Sequence, residues 1–561
     1  MFLHMKSSAV HSFPESKGRS SFSFLRRPAI RALFLIVGAV ATALTLVCEH
    51  LALLEWISLF PVFLVFLQIF SEEKPRLRIC YAYGVLFFAF FYCVVFHWFV
   101  KMSSLEFTGL SENETVAVML LGVIGLSLLQ AVISALSFVA VGIAVRNRIF
   151  VRFPFLIPFL IAGAWTVFEW IQTIGWWGVP WGRLSLGQIN VLPLVQSAQC
   201  FGTYFVSFLL LSVNGCIAFA ILSVSLRRIA AITASVLFVG NFLLGMTLMA
   251  LPREHKGSVT VAAIQGNIEN KWDYSALEEI KAIYREQTAL AAEAGAELIV
   301  WPETALPFDL EQTPSIMIYL QEIADQTGAT LLIGCFRNET STDGTVCSYN
   351  SIYAVFPNEP ISGEFYDKQK LVPFGEFVPM RDLISVVFPP LAEIGMLDED
   401  LSVGNPENLI HTKFGSVGGM ICFDSIYEGV SLSSVREGAE LICLATNDAW
   451  FQDSAAMQMH LNQARLRAIE SGRYIVRAGN SGITAVLSPT GEVLTEIDPG
   501  MVGYVVSDVE MREGRTLYSL IGNAFVYLWM CGVAVLCIQP ALGTLKRRRR
   551  ITVEAEGTDE G

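Results

Sequence analysis

The sequence has few charged residues for its length of 561 residues. Asp, Glu, Lys and Arg make up 16% of the chain, where about 25% is usual for soluble proteins, and apolar residues make up 53%. The formal net charge of −13 excludes the basic character that is typical of nucleic-acid-binding proteins. This composition indicates a protein that lies at least partly in a membrane and has no nucleic-acid partner.

Motifs for metals and phosphates are also missing. The 11 cysteines form no C-x-x-C pair and many lie in apolar segments, which argues against a disulfide framework and a cysteine zinc site. The seven histidines show no H-E-x-x-H spacing, and there is no G-x-x-x-x-G-K-[ST] phosphate-binding loop. We therefore predict no metal and no cofactor.

Eight apolar segments are each long enough to cross a bilayer, which takes about 20 residues. They predict a polytopic helical membrane domain of about eight transmembrane helices, with seven before a long stretch of ordinary composition and one after it. The sixth segment is too long for one straight helix, so its start is uncertain. The predicted cores are 29–48, 51–70, 79–100, 116–145, 153–174, 191–222, 229–251 and 517–542.

Lys and Arg collect in alternate connections between these segments. They are enriched before the first segment and after the second, fourth, sixth and eighth, and they are sparse in the intervening loops. Because basic loops stay in the cytoplasm, this alternation predicts cytoplasmic termini and places residues 252–518 on the outer side. The protein is thus expected to be a multi-pass membrane protein with an outward-facing domain.

Residues 257–510 have the alternating pattern of an α/β domain. Short β-branched segments predict strands, and amphipathic segments between several of them predict helices. About 250 residues suffice for one complete core. The predicted strands are 259–265, 298–301, 330–336, 351–356, 416–421, 441–445, 474–477, 484–487 and 504–509, and the predicted helices are 276–294, 314–326 and 455–471.

Three segments of this domain place reactive side chains just after predicted strands, where function is commonly located. The first is WPET, residues 301–304, in which Pro302 ends the strand and Glu303 follows it. Taken alone, Glu303 is equally typical of a carboxylate at a helix N-terminus, which would be favourable without any chemical role.

The second segment is YDKQKLVPFGEFVP, residues 366–379, where aromatic and proline residues surround Lys368 and Glu376. Such rigidity suits a fixed site, although solvated lysines on a surface loop would give the same pattern. The third is GSVGGMICFDSIYEGV, residues 415–430, where Cys422 lies at the turn from a strand to a helix beginning near 424 or 425. A helix N-terminus and a nearby lysine are expected to lower the pKa of this thiol, although most free cysteines are inert core residues.

Together, a thiol, a carboxylate and an ammonium group are what acyl transfer through a thioester requires. WPET at 301–304, K-x-x-L-V-P-F-G-E at 368–376 and the cysteine of GGMICFD resemble the Glu-Lys-Cys motifs of the nitrilase, or carbon–nitrogen hydrolase, superfamily. Further stretches resemble the membrane-embedded apolipoprotein N-acyltransferase family within it. These are IQGNI at 264–268, KWD at 271–273, TNDAWF at 446–451 and GWWGVPWGRL at 175–184.

This resemblance implies an α-β-β-α sandwich fold for the outward-facing domain. It also implies that Cys422 takes an acyl chain from a phospholipid, typically phosphatidylethanolamine, and passes it to the α-amine of an S-diacylglyceryl-cysteine on an apolipoprotein. The implied location is the bacterial inner membrane, with the catalytic domain in the periplasm, and we expect a monomer.

The resemblance implies a role for each candidate residue. Glu303 is the expected general base, Lys368 the partner of the oxyanion, and Glu376 a carboxylate that supports Lys368. The backbone N–H of Phe423 is a further oxyanion donor, while the family often has Tyr-Glu where this chain has Phe423-Asp424. Candidate substrate contacts are Trp272 and Trp450.

Two other functions fit parts of the pattern. A membrane-tethered amidase would use the same triad with water as acceptor, and eight transmembrane segments argue for lipid substrates instead. A transporter or assembly scaffold would only bind ligand through its α/β domain, and the repeated broken segments of transporters are not evident. The predicted division is a disordered cytoplasmic N-terminus (1–27), seven transmembrane helices (28–251), the catalytic domain (256–510), an eighth helix (517–542) and a basic then acidic tail (543–561).

Overall fold

The computed structural model describes residues 22–72, 74–102, 112–269, 271–272, 274–340, 344–359, 363–387 and 400–556. Within these residues, seven helical segments before residue 251 are long and apolar enough to cross a membrane, as predicted. The predicted disorder of the N-terminus falls mostly on residues that are not described. The helices of this half are α1 Pro28–Val47, α2 Glu55–Ser58, α3 Phe60–Phe70, α4 Leu77–Val95, α5 Glu112–Ser134, α6 Leu136–Ala144, α7 Arg148–Arg152, α8 Ile157–Ile171, α9 Leu192–Val195, α10 Ala198–Phe201, α11 Thr203–Leu222 and α12 Arg227–Ala250.

The sixth predicted segment, 191–222, begins with two short helices, and its spanning part is α11. The break falls at Gly202, whose φ of +79° is accessible to glycine without strain. A Cβ atom at this position would lie 2.5 Å from the ring of Tyr518, so the close approach also requires glycine. The chain thus turns at Gly202 before it enters the membrane part.

The last apolar segment also differs from its prediction of 517–542. It divides at Gly522 into α18 (Leu517–Ile521) and α19 (Ala524–Glu556), and the apolar part of α19 is Ala524–Pro540. At 17 residues this stretch is at the short end of what spans a bilayer. The helix continues into the predicted basic and acidic tail as far as Glu556.

The second half forms two six-stranded sheets. In the first, the strand order is β12-β1-β2-β3-β4-β5, and in the second it is β11-β10-β9-β8-β7-β6. Strands β1, β2 and β3 are parallel, as are β7, β8 and β9, and the outer strands pair antiparallel. The strands are β1 His255–Gln265, β2 Leu298–Val300, β3 Thr330–Thr340, β4 Val346–Val355, β5 Phe365–Asp367, β6 Leu409–Thr412, β7 Gly415–Ile421, β8 Leu441–Thr446, β9 Ile475–Gly479, β10 Thr484–Leu487, β11 Val493–Ile497 and β12 Gly503–Arg512.

Side chains of strand β1 alternate between two buried environments. Val261 and Ala263 belong to the core between the sheets, whereas Ala262 and Ile264 belong to the core beneath the outer helices. A strand buried on both faces is expected when helices cover a sheet. The result is the predicted α-β-β-α sandwich, whose helices are α13 Leu277–Glu293, α14 Pro314–Thr327, α15 Arg381–Val387, α16 Glu428–Glu437 and α17 Ala455–Ser471.

The sandwich is fixed to the membrane helices by buried polar contacts. Arg183, in the loop before α9, forms an ion pair of 2.9 Å with Glu428 at the start of α16. The hydroxyl of Tyr427 donates to the carbonyl of Gly178 at 2.7 Å. Glu169 is buried and accepts the N–H of Leu184 at 2.8 Å.

Candidate active site

Glu303 lies in the turn that follows β2. No helix begins directly after it, since α14 starts only at Pro314, so a helix N-terminal role does not apply. One carboxylate oxygen, Oε1, accepts Lys368 Nζ at 3.0 Å and Asn350 Nδ2 at 2.8 Å. The other, Oε2, accepts the backbone N–H of Asn447 at 3.0 Å. Glu303 is therefore held at the carboxyl ends of the parallel strands, with both oxygens oriented.

Lys368 follows β5 and is almost completely buried, with 1% of its surface exposed. Its Nζ donates to Glu303 Oε1 at 3.0 Å and to Glu376 Oε1 at 2.8 Å. Burial lowers the pKa of Lys368, but the two carboxylates outweigh burial and hold the pKa well above its usual value. The site therefore contains a permanent ammonium group between two carboxylates.

Glu376 supports this ammonium group from the loop after Lys368. Its Oε2 accepts the backbone N–H of Val372 at 2.8 Å, which fixes the carboxylate within its own loop. Asn350 Nδ2 donates to Glu376 Oε1 at 3.0 Å as well as to Glu303, so it joins both carboxylates. Asn350 lies inside strand β4, where no motif in the sequence identifies it.

Cys422 directly follows β7 and begins a short 3-10 helix, Cys422–Ile426, while α16 starts later than predicted. Its φ of +45° places it in the left-handed region, which is uncommon for a residue other than glycine. Burial and Glu303 raise the pKa of the Cys422 thiol, and Lys368 offsets only part of this rise. The lowered pKa expected from sequence is therefore wrong, because burial outweighs the helix terminus and the lysine.

A thiol with a raised pKa needs a base. Burial raises the pKa of Glu303, but Lys368 and Lys271 lower it by more, so Glu303 is ionised. The structure thus brings Glu303, Lys368 and Glu376 into direct contact, with Cys422 near enough to Lys368 for a thiolate at Cys422 to raise the pKa of the lysine. A carboxylate that takes the proton of a partly buried thiol, beside a fixed ammonium, suits nucleophilic attack on a carbonyl.

Asp424 and Phe423 follow the cysteine but serve different purposes. The fully buried carboxylate of Asp424 accepts the N–H groups of Lys370 at 2.7 Å and Ile421 at 3.0 Å and the hydroxyl of Tyr366 at 2.9 Å. Asp424 thereby fixes the segment that carries Lys368 and Lys370 to the turn that carries Cys422. The Phe423 ring packs edge-on against Tyr427, with 5.4 Å between ring centroids.

Trp272 and Trp450 lie on loops beside these residues. Trp272 is 51% exposed and stacks on Phe336 at 5.9 Å between centroids. Trp450 is half-buried in a short 3-10 helix, Asp448–Phe451. This helix directly follows Asn447, whose backbone N–H donates to Glu303. Within the described residues, neither ring forms a hydrogen bond or a ring contact with Glu303, Lys368 or Cys422.

Lys271 is a further charged residue that sequence reasoning did not single out, although KWD includes it. Its Nζ donates to the backbone carbonyl of Glu303 at 3.3 Å and contacts the hydroxyl of Thr304. Burial lowers the pKa of Lys271 to about 8, with Glu303 and Cys422 acting in the opposite direction. A second cation therefore borders the base.

No group of three or more His, Cys, Asp or Glu side chains with the geometry of a metal site occurs within the described part of the chain. The polar atoms of the candidate site are instead bonded to one another. The chemistry that this arrangement supports is acid–base and nucleophilic, carried by the protein's own side chains.

Two family models match this chain. The model described as "Carbon-nitrogen hydrolase" matches residues 260–517. The model described as "Apolipoprotein N-acyltransferase N-terminal domain" matches residues 38–216. The two matches correspond to the sandwich and to most of the membrane helices that precede it.

Curated relatives are similar over most of the chain. The apolipoprotein N-acyltransferase of Geobacter metallireducens is 29% identical over 514 residues, which cover 90% of this chain and 94% of that protein. The apolipoprotein N-acyltransferase of Gloeobacter violaceus is 30% identical over 508 residues, covering 90% of this chain and 92% of that protein. A solved carbon–nitrogen hydrolase from Helicobacter pylori has a TM-score of 0.34 and 15% identity, and the match covers 45% of this chain and 90% of that chain.

Proposed function

Because the chain belongs to the apolipoprotein N-acyltransferase family, we propose that it moves an acyl chain from a phospholipid to an apolipoprotein. The donor is a phospholipid of the phosphatidylethanolamine type. The acceptor is the α-amino group of the S-diacylglyceryl-cysteine at the apolipoprotein N-terminus. The observation that carries this proposal is the buried Glu303–Lys368–Glu376 cluster around Cys422, in a sandwich that is fixed to a membrane bundle.

In the first half-reaction, Glu303 accepts the thiol proton of Cys422 as the sulfur attacks the ester carbonyl of the donor. The tetrahedral oxyanion is stabilised by Lys368 Nζ and by the backbone N–H of Phe423. Collapse of this intermediate expels the lysophospholipid, whose alkoxide takes the proton back from Glu303. The acyl chain remains on Cys422 as a thioester, and Glu303 is a carboxylate again.

In the second half-reaction, the ammonium group of the acceptor loses a proton to Glu303, and the free amine attacks the thioester. The same oxyanion donors stabilise the new tetrahedral intermediate, which collapses to an amide and the Cys422 thiolate. A proton returned from Glu303 regenerates the thiol. Glu303 then takes the second proton of the attacking nitrogen and releases it to solvent, so that one ammonium and one thioester give one amide, one thiol and one proton. This ping-pong order needs one base that can give and accept protons, which the oriented carboxylate of Glu303 provides.

We also propose an orientation and a division of the chain. Basic residues in alternate loops favour cytoplasmic termini and a catalytic domain on the periplasmic side of the bacterial inner membrane. Residues 28–251 and 517–542 form the membrane part, residues 256–510 form the catalytic domain, and the protein acts as a monomer. Trp272 and Trp450 contact the substrates from the loops beside the triad.

The position of the sandwich on the bundle supports lipid substrates. Arg465 NH2 donates to the carbonyl of Ile189 at 3.2 Å, and Gln196 Nε2 donates to the carbonyl of Thr490 at 2.7 Å. These contacts hold the catalytic domain against the segments that connect the membrane helices, which suits a lipid ester that approaches Cys422 from the membrane. An amidase for small soluble amides has no need of such a bundle.

The proposal is tested with the purified protein in vesicles of phosphatidylethanolamine labelled in its sn-1 chain. A synthetic peptide with an S-diacylglyceryl-cysteine at its N-terminus serves as the acceptor, and the same peptide with an acetylated amine serves as the control. We expect one labelled acyl chain on the free peptide and none on the control. Release of labelled fatty acid with no acylated peptide would identify a hydrolase and overturn the proposal.

A further inference from the structure

A second polar cluster lies directly behind Cys422 and has no part in the mechanism described so far. His460, on α17, places Nε2 at 3.1 Å from the backbone carbonyl oxygen of Cys422 and at 2.9 Å from Ser425 Oγ. On the other side of the ring, Nδ1 lies 2.9 Å from Asp448 Oδ1. Arg477 NH2 donates to Asp448 Oδ2 at 2.6 Å. All four side chains are at most 1% exposed.

The contact with Cys422 sets one requirement on this ring. Nδ1 faces both an acceptor and a donor, since it lies 2.9 Å from Asp448 Oδ1 and 3.3 Å from Arg477 NH2. On the other side, a carbonyl oxygen only accepts, so the 3.1 Å contact with Cys422 is a hydrogen bond only when Nε2 carries a proton. The ring therefore fixes this carbonyl through its Nε2–H.

Ser425 fits the same arrangement. Its hydroxyl donates to the carbonyl of Cys422 at 2.8 Å, so it cannot also supply a proton to Nε2. Ser425, His460 and Asp448 have the connectivity of a serine-protease triad. Ser425, however, is completely buried, and its hydroxyl proton is donated to the Cys422 carbonyl. The cluster is thus not a second nucleophilic site, and its shared target is the Cys422 carbonyl.

This carbonyl belongs to the peptide plane between Cys422 and Phe423. Because a trans peptide is planar, the C=O of Cys422 and the N–H of Phe423 point in opposite directions and turn together. Fixing the carbonyl toward α17 therefore aims the N–H away from it. The left-handed φ of +45° at Cys422 is a conformation that needs such fixing, since an L-residue adopts it only when its surroundings determine it.

We propose that His460 is a positioning residue whose Nε2–H orients the Cys422–Phe423 peptide and so aims the Phe423 N–H at the oxyanion. Asp448 and Arg477 hold the ring, and Ser425 shares the carbonyl. The inference rests on the proposed function, because it deepens the description of the oxyanion site. The role of this cluster is thus to hold the Cys422–Phe423 peptide in the orientation that the thioester chemistry requires.

The test compares His460→Gln with His460→Asn. Glutamine can place its amide nitrogen where Nε2 lies and keep the bond to the Cys422 carbonyl, whereas asparagine can place it only where Nδ1 lies. His411→Asn is the matched control, since His411 is exposed and pairs with Glu364 at the surface. Ser425→Ala removes the other donor to the same carbonyl.

Two reactions of Cys422 are measured for each variant. The burst of p-nitrophenolate from p-nitrophenyl butyrate requires an oxyanion, whereas alkylation by iodoacetamide, followed on the Cys422 peptide by mass spectrometry, does not. Neither needs a phospholipid or a lipoprotein, so failure of the inference and failure of the proposed function are distinguishable.

We expect the burst rate of His460→Asn to fall by about 10²–10³-fold, as for the loss of one oxyanion donor. The burst rate of His460→Gln and of Ser425→Ala should fall by about tenfold or less, and alkylation should change by less than about threefold in all variants. Equal burst rates for the Asn and Gln variants would overturn the inference. So would a parallel loss of alkylation and burst, since that indicates collapse of the site rather than a turned peptide.

Discussion

Two groups of buried charges in this protein are built differently. In the cluster that we propose is catalytic, here called the catalytic cluster, the ammonium of Lys368 contacts two carboxylates, Glu303 and Glu376, and all three residues belong to the sandwich. In the junction cluster, Arg183 pairs with Glu428 at 2.9 Å, and Arg467 pairs with Glu470 at 2.7 Å within α17. The members of the junction cluster are Arg183, Glu428, Arg467 and Glu470.

The two clusters differ in how their charges are paired. At the junction each carboxylate has its own guanidinium, and the Arg183–Glu428 pair connects a membrane loop to the sandwich. In the catalytic cluster Glu303 and Glu376 share the ammonium of Lys368, and the second cation, Lys271, contacts the backbone carbonyl of Glu303 rather than its carboxylate. The Glu303 carboxylate therefore has no cation of its own, which suits proton transfer beside the thiol. At the junction, loss of one partner leaves the other charge buried and uncompensated.

The largest effect on activity is expected from Glu303→Gln, which removes the base but keeps the shape of the side chain. Acyl transfer should fall by about 10²–10⁴-fold, the usual contribution of general acid–base catalysis. The melting temperature in detergent should fall only modestly, because the amide oxygen still accepts from Lys368 while the amide nitrogen cannot accept the N–H of Asn447. Retained activity would show that another group accepts the thiol proton.

The opposite pattern is expected at the junction. Arg183→Met leaves Glu428 buried without its cation, which should cost about 3–5 kcal/mol of stability and lower the melting temperature. In the native protein Arg183 and Arg467 outweigh burial and lower the pKa of Glu428 to about 2, so loss of Arg183 removes the main compensation for burial of this carboxylate. The double variant with Glu428→Gln should regain part of this loss.

The matched control for that variant is Arg285→Met, which breaks a pair with Glu322 at 3.3 Å between half-exposed side chains. Such surface pairs contribute about 0–1 kcal/mol, so its melting temperature should change little. Similar melting temperatures for Arg183→Met and Arg285→Met would contradict the structural role given to the junction cluster.

A smaller loss is expected from Glu376→Gln. Lys368 keeps Glu303 as partner but is held less firmly, and we expect acyl transfer to fall by about 10–100-fold, as for other residues that orient a reacting group. The double variant Glu303→Gln, Glu376→Gln should lose little more than Glu303→Gln alone. Fully additive losses would mean that the two carboxylates act independently.

The pH dependence of the rate tests Lys271, whose pKa burial lowers to about 8. The activity of the native protein should fall as pH rises through about 8, because the neutral amine no longer stabilises negative charge beside Glu303. Lys271→Met should be slower below this pH and lack the transition, whereas Lys271→Arg should retain activity to higher pH.

Titration of Lys271 does not destabilise the fold in this range. Between about pH 8 and 10.5 the lysine is protonated in the unfolded chain and neutral in the folded protein, so its contribution to the free energy of unfolding rises with pH. An unchanged transition in Lys271→Met would assign it to another group.

The smallest effect is expected from Phe423→Tyr, which restores the residue that the family often has at this position. The Phe423 ring contacts Tyr427 edge-on and is half-buried, so an added hydroxyl can reach solvent. Acyl transfer should change by less than about threefold. A large gain would show that the phenol has a role that this chain lacks.

The sequence predicts the elements that form this site better than it predicts their environment. The helix at 455–471 has the predicted bounds, and all nine predicted strands are present, because their apolar periodicity is strong. Strands β5, β6 and β11 were not predicted. The short β5 and β6 and the alternately exposed β11 lack that signal.

Contacts between distant segments account for the other differences. The expected fall in the pKa of Cys422 fails because burial depends on the whole sandwich, not on the turn that carries the cysteine. Asn350 joins the two carboxylates only because β4 lies beside β5, and His460 reaches Cys422 across the space between α17 and the end of β7. Spacing along the chain does not contain this information.

Cys422 should carry the acyl chain as a thioester between the two half-reactions. Intact-protein mass spectrometry after incubation with phosphatidylethanolamine alone, with Cys422→Ser as the control, measures this directly. We predict a gain of one acyl chain on the native protein, removed by hydroxylamine and lacking a hydroxylamine-labile counterpart in the variant. No adduct on a thiol that iodoacetamide still alkylates, with any phospholipid as donor, would contradict the account.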